Sequence, residues 1–458
     1  MKSLPVMFLA VVAGTASAQP GGQPAPAPPI PPASPAPPDP AAPPAGASAP
    51  EVLTLERAIE IAMRQQPSLR QTKAQLEAAR GRVDQARVAR RPTLVLDATL
   101  ASASRTSIDP GTETRSPDFF SHNDSTGLGA NASWRIYDFG LTSANIRAAE
   151  LNAAATATTI GTTTLDIRNQ VELAYLEAVA GRRLVAVADT TVKSEERHLD
   201  QAKRFVAAQA KDPIEVAQAQ SRNANARSAL AQAQSNEAIA LANLRSAIGW
   251  LDPAHSPIVS PNWPAPSESD PLALAALVDT ARNQRPEIVQ LDKQIEAADA
   301  SLTAARAERR PVLSANASTR WSPDSNNTRP EPSWTAALTL SWSVFDGGRS
   351  AADARVAHAN LENVIAQRDA LLVSLTSQLD LSRAQIIANH ANVAASTEAV
   401  AAARAQLHLA EARYGQGLGS QIELADAQTA ITTAEGNLVQ AEFQLATAWA
   451  QLHRATAQ

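Results

Sequence analysis

The sequence predicts an α+β membrane protein made by internal duplication, in which amphipathic strands precede very long helices. The stretches SWRIYDFG at 133–140 and SWSVFDGG at 341–348 share one pattern and begin 208 positions apart. Each closes a run in which apolar and polar residues alternate, which is typical of β-strands. Each is followed by a long helical tract, and the second tract has neither glycine nor proline from Arg349 to Tyr414. One strand–helix unit therefore occurs twice.

The N-terminal 18 residues are predicted to be a cleaved signal peptide. MKSLPVMFLAVVAGTASAQ has one basic residue, an apolar run, and small residues at Ala16 and Ala18, where a cleavage site requires them. The apolar run is short for a spanning helix, which disfavours a membrane anchor. Residues 19–52 are rich in proline and alanine, and we expect a disordered, extended tether there. A ligand role for this proline-rich segment stays open beside the spacer role.

Composition excludes several classes of function. The chain has no cysteine, which removes disulfides, thiolate metal sites, a cysteine nucleophile and a lipoprotein anchor. A net charge of −5 gives no reason to expect a nucleic-acid partner. No later stretch approaches twenty consecutive apolar residues, so any membrane insertion must use strands.

The folded part is predicted to consist of two halves, 53–250 and 272–458, joined by a proline-rich linker at 251–271. Each half has two prolines 25 positions apart, and the second follows an Arg-Arg pair. The first proline of each pair starts a helix and the second stops it. The predicted helices are 54–66, 68–91, 141–206 and 214–248 in the first half, and 272–284, 287–310, 349–414 and 422–454 in the second.

Each half also contains two predicted strands before its long helix. The predicted strands are 93–104, 126–137, 312–321 and 334–345. Their period-two alternation and terminal tryptophans match lipid-facing strands of a membrane β-barrel, although a soluble hairpin with one buried face has the same pattern. Four strands cannot close a barrel without leaving edges unpaired in lipid, so more than one chain must contribute. The expected interface aromatics are Trp134, Trp321, Trp334 and Trp342.

The long helices carry a heptad repeat. Large apolar residues recur every seven positions from Ile365 to Tyr414, and the same spacing recurs 208 residues earlier, from Val171 to Val206. This period predicts coiled-coil packing. The partner positions three residues on are mostly small, which favours several helices side by side over a two-stranded rod. A rigid spacer coil remains the alternative. Strand–helix junctions are expected at Asp138, Gly140, Asp346, Gly347 and Gly348.

With this order of elements the chain resembles the TolC-like outer-membrane efflux protein family. The resemblance is carried by QQPSLRQ at 65–71, NQRPEIVQ at 283–290, the junctions YDFG and FDGG, and RYGQGLGSQIELADAQ at 413–428. It implies a homotrimer whose chains build one 12-stranded barrel in the outer membrane of a Gram-negative bacterium. A periplasmic α-helical tunnel would continue that barrel. It also implies an exit duct for a tripartite pump or a type I secretion system, with a periplasmic adaptor and an inner-membrane RND, MFS or ABC exporter as partners.

The resemblance further implies functional residues at the periplasmic tip. Glu423 and Asp426 match an acidic ring that lines the lumen, and Glu215 matches Glu423 at the offset of 208. Ordinary acidity at a helix start is the alternative for these residues. The turn that would contact the adaptor comprises Gly415, Gly417, Leu418 and Gly419. The corresponding first turn has no glycine, and Gly419 stands where some members have an arginine that holds the closed tip.

Two other classes of function are weighed against a passive duct. A periplasmic coiled-coil adaptor or structural protein would also have long hairpins, but the twofold repeat with strands before each long helix argues against it. An enzyme would need a catalytic constellation. The carboxylates Glu195 and Glu196 lie in a helical run and are interpreted as solvated, and no metal spacing or triad order emerges. We therefore expect neither catalysis nor a cofactor.

Overall fold

The computed structural model describes residues 52–104, 122–250, 258–264, 273–324 and 327–457. The first half contains β1 (Val52–Leu53), α1 (Leu55–Gln65), α2 (Pro67–Val88), β2 (Thr93–Ser104), β3 (His122–Tyr137), α3 (Leu141–Ala207) and α4 (Ile214–Ile248). The linker and second half contain β4 (Ile258–Val259), α5 (Leu274–Gln284), α6 (Pro286–Ala307), β5 (Val312–Asp324), β6 (Asn327–Ser341), α7 (Arg349–Gly415) and α8 (Gln421–Thr456). The predicted signal peptide, nearly all of the tether and most of the linker lie outside the described residues.

Two long helical hairpins, α3–α4 and α7–α8, form most of the described structure. Their apolar cores repeat each other at a constant offset. Ile167, Val171 and Leu244 are buried in the first half, and Leu375, Leu379 and Leu452 are buried 208 positions later. Ala58 and Ala62 of α1 are matched by Leu277 and Ala281 of α5, 219 positions later. The duplication therefore extends from the sequence into the packing of the core.

The four long strands form one antiparallel sheet in the order β2-β3-β5-β6. The central ladder between β3 and β5 joins the two halves of the chain, and it aligns Leu128 with Trp321. One rung across all four strands consists of Leu96, Ala130, Thr319 and Trp334. Because side chains alternate along a strand, the pairing fixes the residues on each face.

One face of this sheet, here the apolar face, carries Leu94, Leu96, Leu100, Leu128, Trp134, Leu313, Trp321, Trp334, Leu338 and Leu340. The other, the polar face, carries Asp97, Asn131, Arg135, Ser318, Arg320 and Thr339. The apolar face is uncovered in the single chain: Leu96 is 76 % exposed, Leu100 86 % and Trp334 79 %. Burying this face would require contact with lipid or another molecule.

Several elements differ from the predicted boundaries. α2 ends at Val88 instead of 91, and α6 ends at Ala307 instead of 310. The α conformation is disfavoured for a residue that precedes proline, so the helix cannot continue to Arg91. The chain makes a tighter turn instead, in which the Arg91 amide donates to the Val88 carbonyl at 2.8 Å. The Arg90 carbonyl then accepts the Trp134 indole N–H at 3.0 Å. The last helical turn is thereby replaced by a contact with the sheet.

The prediction that the last strand extends to 345 is wrong, because β6 ends at Ser341. Within the described residues, β6 is an edge strand that pairs with β5 alone. β5 begins at Val312, which pairs with Ser341, so the residues that follow have no ladder partner. Trp342 therefore lies just beyond the strand. In the other direction the β5–β6 hairpin is longer than predicted, since the two strands reach Asp324 and Asn327.

The described part of the linker, 258–264, holds the two hairpins together. β4 pairs in parallel with β1, and the Arg182 guanidinium donates to the Val259 carbonyl at 2.8 Å. The Trp263 indole N–H donates to Glu442 of α8 at 2.8 Å, and Arg183 of α3 forms an ion pair with the same carboxylate. The linker thus fastens α3 to α8. Within the described residues, no helix is both long and apolar enough to cross a membrane.

Candidate functional site

The two turns at the ends of the helical hairpins have the same backbone hydrogen bonds. In the first turn, Gln209 N donates to Val206 O at 2.9 Å and Ala210 N donates to Phe205 O at 2.9 Å. In the second turn, the same pair of bonds joins the residues 208 positions later, with distances of 3.0 and 2.9 Å. Both are Schellman motifs, which satisfy the last carbonyls of a helix. The two turns therefore align without any slip in register.

The two turns differ in the residue that takes the left-handed conformation. Gly417 has φ +75° in the second turn, and Gln209 has φ +59° at the equivalent place in the first. A residue with a side chain costs about 1–3 kcal/mol there, whereas glycine has no such cost. Gly419 is favoured for a different reason: a Cβ would lie 3.0 Å from the backbone nitrogen of Tyr414, which is a tight contact. The glycines of the second turn thus have separate structural roles.

The two hairpins are tied to each other by Glu215, which lies in the first turn of α4. Its carboxylate accepts the Tyr414 hydroxyl at 2.9 Å, and its backbone carbonyl accepts the Gln421 side-chain amide at 2.9 Å. Lys211 lies 3.6 Å from the same carboxylate and donates to the Gly419 carbonyl at 3.3 Å. We call Glu215, Tyr414, Lys211 and Gln421 the tip clasp. It joins the start of α4 to the end of α7 and the start of α8.

Tyr414 is the buried centre of the tip clasp, with only 1 % of the residue exposed. Phe205 packs edge-on against its ring at 5.6 Å between centroids, and the Lys211 ammonium lies 5.5 Å from the ring centroid. Burial and the hydrogen bond to Glu215 raise the pKa of Tyr414 to about 12. The phenol therefore stays protonated and keeps donating at all physiological pH values.

The structure separates the three acidic residues expected at the tip. The Glu215 side chain is only 15 % exposed and is engaged in the tip clasp, which does not support the lumen role predicted for it. Glu423, at the start of α8, forms an ion pair with Arg413 at 3.0 Å. Asp426, one turn further along the same side of α8, is exposed. Of the three, Asp426 has the carboxylate most available to solvent or solutes.

A polar seam lies between the tip clasp and the sheet end of the hairpins. It joins α3 to α7 and α8 through Thr191, Ser194 and His198. Ser194 Oγ donates to Gln428 Oε1 at 2.8 Å, and the buried His198 lies 3.4 Å from Glu411. The interpretation of Glu195 as a solvated residue is wrong, because the residue is 5 % exposed and lies 3.5 Å from Arg222. Burial lowers the pKa of His198, so its imidazole is mainly neutral at pH 7.

Each strand–helix junction is fixed by one aspartate, which lies just before the long helix. Asp138 accepts the Thr142 amide at 2.8 Å and the Thr142 hydroxyl. Asp346 accepts the Ser350 amide at 2.9 Å, the Gly348 amide at 2.9 Å and the Ser350 hydroxyl. These bonds, led by the Ser350 hydroxyl, lower the pKa of Asp346 to about 2. Left-handed glycines make the sharp change of direction: Gly140 (φ +106°), Gly347 (φ +67°) and Gly348 (φ +90°).

The four tryptophans expected at the membrane interface form two groups, one near each end of the sheet. Trp134 and Trp342 lie at its helix end, where each indole donates to the carbonyl of an arginine that precedes a stop proline, at 3.0 and 3.1 Å. Trp321 and Trp334 lie toward the opposite end and are 53 % and 79 % exposed. Tryptophans near both ends of an apolar face are typical of strands that cross a membrane.

The sequence does not predict a site role for Tyr414 or Lys211. The heptad repeat predicts only helix packing for Tyr414, and no sequence pattern singles out Lys211. The tip clasp joins residues 199 positions apart, a contact that no local pattern indicates. The position of Tyr414 immediately before the glycine-rich turn was the available signal. Among the described residues, no group of three or more His, Cys, Asp or Glu side chains is placed to hold a metal ion.

One four-stranded amphipathic sheet and two long hairpins with matched turns define a duplicated strand-and-hairpin protein. The chain belongs to the outer membrane efflux protein family, whose model matches residues 58–250 and 277–458. These two segments coincide with the two halves. The chain is also 30 % identical over 393 residues to Protein CyaE of Bordetella pertussis, covering 82 % of this chain and 78 % of that protein.

Solved structures of outer-membrane proteins share the fold. VceC of Vibrio cholerae has a TM-score of 0.70 at 21 % identity, over 88 % of this chain and 96 % of that one. The CmeC channel of Campylobacter jejuni has a TM-score of 0.74 at 14 % identity, over 88 % and 85 %. The MtrE channel of Neisseria gonorrhoeae, solved in an open state, has a TM-score of 0.68 at 20 % identity, over 88 % of both chains. At these identities the likeness shows the fold alone.

Replacing Gly417 by alanine should loosen the second turn, because a Cβ at φ +75° is strained by about 1–2 kcal/mol. Gly415→Ala is the matched control: Gly415 is helical, and its added Cβ would meet its nearest neighbour at an ordinary 3.7 Å. Hydrogen exchange of the Leu418 amide should accelerate about tenfold in Gly417→Ala and stay unchanged in the control. Equal protection in both variants would contradict the assigned strain.

Proposed function

We propose that this protein is a passive exit duct in the outer membrane. Three copies would pair the free edges of β2 and β6 to close a 12-stranded barrel, with the apolar face toward lipid and the polar face toward a water-filled lumen. The hairpins of the three copies would continue the barrel as an α-helical tunnel in the periplasm. A cleaved signal peptide at 1–18 would direct export.

One observation carries this proposal: an uncovered apolar face on a sheet that has two unpaired edges. Within the described residues, no helix packs against the apolar face, whose leucines and tryptophans are largely exposed. A soluble four-stranded sheet in this condition would aggregate through its face and its edges. Closure with other copies in lipid satisfies both requirements at once, because lipid covers the face and the neighbouring strands pair the edges.

The cargo would be moved by partners, since the duct itself supplies no energy. We propose that a periplasmic adaptor docks on the turn formed by Gly415, Gly417, Leu418 and Gly419 and links the duct to an inner-membrane RND, MFS or ABC exporter. Leu418 is 73 % exposed at the tip and offers an apolar contact. The first turn has Ala210 at the equivalent place, which presents less apolar surface. The tripartite-pump and type I secretion assignments both remain consistent with this arrangement.

The tip clasp supports a closed resting state that opens on docking. A hydrogen bond between the buried Tyr414 hydroxyl and a carboxylate contributes about 1.5–3 kcal/mol. The polar seam also joins the hairpins by hydrogen bonds, including those of Thr191 with Thr432 and Ser194 with Gln428. An adaptor that engages the turns and pulls the hairpins apart would have to break these polar contacts and the packing of Phe205 on Tyr414, while each hairpin keeps its own apolar core.

The test of this function is the particle extracted in detergent. We expect light scattering to give three copies per particle, and negative-stain microscopy to show a rod of roughly 100 Å beneath the micelle, the length of about 66 helical residues. A monomer that is soluble without detergent would overturn the proposal. It would favour a periplasmic coiled-coil protein whose sheet packs against another protein.

Placing a charge on the apolar face should block assembly. Leu338→Arg puts a guanidinium toward lipid on β6, midway in the sequence between Trp334 and Trp342, at a cost of about 2–4 kcal/mol. Thr339→Arg is the matched control, because the adjacent residue points to the polar face. The yield of heat-resistant trimer in the outer-membrane fraction should fall only for Leu338→Arg. Equal yields would show that the faces are assigned wrongly.

Removing one hydroxyl from the tip clasp should favour the open tip. Tyr414→Phe deletes the bond to Glu215 and should raise the open fraction of single channels in planar bilayers about tenfold. Tyr175→Phe makes the same change at a buried tyrosine that bonds to the Leu53 carbonyl at 3.1 Å, away from the tip. A conductance unchanged by Tyr414→Phe in an intact trimer would show that the tip clasp does not hold the closed state.

The acidic residues of α8 should differ in their effect on ion selectivity. Asp426 is exposed, whereas Glu423 is partly neutralised by Arg413. With the tip opened by Tyr414→Phe, Asp426→Asn should lower cation preference more than Glu423→Gln, because an unpaired carboxylate attracts cations more strongly. Reversal potentials in a salt gradient measure this preference. Identical values for both variants and the parent would place these side chains outside the lumen.

A further inference from the structure

The polar face of the sheet has a charged rung that the proposed duct does not yet explain. Asp97 of β2 pairs with Gly129 of β3, and Gly129 pairs with Arg320 of β5. The three residues therefore lie at one level of the sheet, with an acid and a base on either side of a glycine. Among the described side chains of the four long strands, the only other charge is Arg135, which lies 3.8 Å from Asp138 at the helix end.

Gly129 makes room for the Asp97 carboxylate. A Cβ on Gly129 would lie 2.6 Å from Asp97 Oδ2 and 2.7 Å from Oδ1, so any other residue here would displace the carboxylate from its present position. The Asn131 amide donates to Asp97 Oδ1 at 2.7 Å and fixes the carboxylate in this place. The acid thus lies flat across β3 in the direction of β5. This is a positioned group, in contrast to a flexible surface carboxylate.

Arg320 stands opposite, with its backbone held by the Ser333 hydroxyl, which donates to the Arg320 carbonyl at 3.4 Å. The described ion pairs give Arg320 no carboxylate within 4.0 Å, and the residue is exposed on the polar face. The acid and the base stand two strand spacings apart, roughly 10 Å across the sheet, so one solute can reach both groups without their forming a direct ion pair. The serines and threonines that surround them on the polar face are uncharged.

We propose that Asp97, Asn131 and Arg320 form a selectivity belt in the barrel lumen, which retains solutes that carry both a cationic and an anionic group. The proposal rests on the duct function given above. In a trimer the belt would contain three acids and three bases around the wall. Such a ring has no net charge, so it does not exclude ions of either sign. It provides paired sites on which a zwitterionic solute can dwell.

The first experiment measures the permeability ratio of K⁺ to Cl⁻ in planar bilayers, with the tip opened by Tyr414→Phe in every variant. Asp97→Asn should shift the ratio toward Cl⁻ and Arg320→Gln toward K⁺, each by about two- to fourfold, as expected for one unit charge a few ångströms from the ion path. The double variant should return to the parent ratio. Asp97→Ser repeats the test if the asparagine variant assembles poorly.

Matched controls carry the same charge changes away from the belt. The controls are Asp84→Asn and Arg80→Gln, since both residues are exposed on α2. The rise per residue of helix and strand places them roughly 20 Å or more from the belt. Salt at 0.1 M screens charges over about 10 Å, so they do not act on the belt. These variants should leave the ratio unchanged. A shift in them as large as in the belt variants would overturn the assignment of a local site.

The second experiment tests the class of solute with three probes of similar length: ε-aminocaproate, hexanoate and hexylammonium. Block of the single-channel current by ε-aminocaproate should exceed block by either singly charged probe, and the double variant should lose this difference. Failure of the parent protein to form channels would count against the duct function itself. Functional channels with equal block by all three probes would overturn the belt and leave the duct intact.

Discussion

The ladder between β3 and β5 is the contact on which the rest of the structure depends. Each half of the chain contributes only a two-stranded ribbon, and such a ribbon is marginally stable on its own. Pairing the ribbons through β3 and β5 makes a four-stranded sheet and brings together the starts of α3 and α7. The two hairpins then descend from a common base. Their spacing is set at this base and maintained further along by the linker contacts of Trp263 and Glu442.

The hairpins are held internally and to each other by different kinds of contact. Inside each hairpin the core is apolar and largely buried, as Leu379 and Leu452 illustrate. Between the hairpins, toward the tip, the contacts are one aromatic contact of Phe205 with Tyr414 and hydrogen bonds such as those of Thr191 with Thr432 and Ser194 with Gln428. Apolar burial depends on close packing, whereas a hydrogen bond lost on separation is largely replaced by one to water. Separation of the hairpins near the tip is therefore much less costly than unfolding of either one.

Much of the fold could be predicted because its signals are local and periodic. The alternation of Leu94, Leu96 and Leu100 assigned these residues to one face, and the register across the four strands confirms it. The end of β6 at Ser341 could not be predicted from local alternation, because it depends on where the partner strand β5 begins. The tip was harder. The sequence predicts a glycine-rich turn at Gly417, but nothing in it indicates that the equivalent Gln209 is left-handed, and Glu215 has no local feature that points to Tyr414.

The matched backbones and unmatched residues of the two turns have a consequence for symmetry. In a trimer of this chain, six turns would surround the tunnel mouth with nearly sixfold backbone geometry. Their surfaces would alternate, since every second turn presents Leu418 on a glycine-rich loop and the others present Ala210 on a loop with Gln209. A partner protein would therefore meet two chemically distinct kinds of position, three of each. An assembly of six adaptors would have to bind in two inequivalent modes, whereas three adaptors would suffice to occupy every turn that presents Leu418.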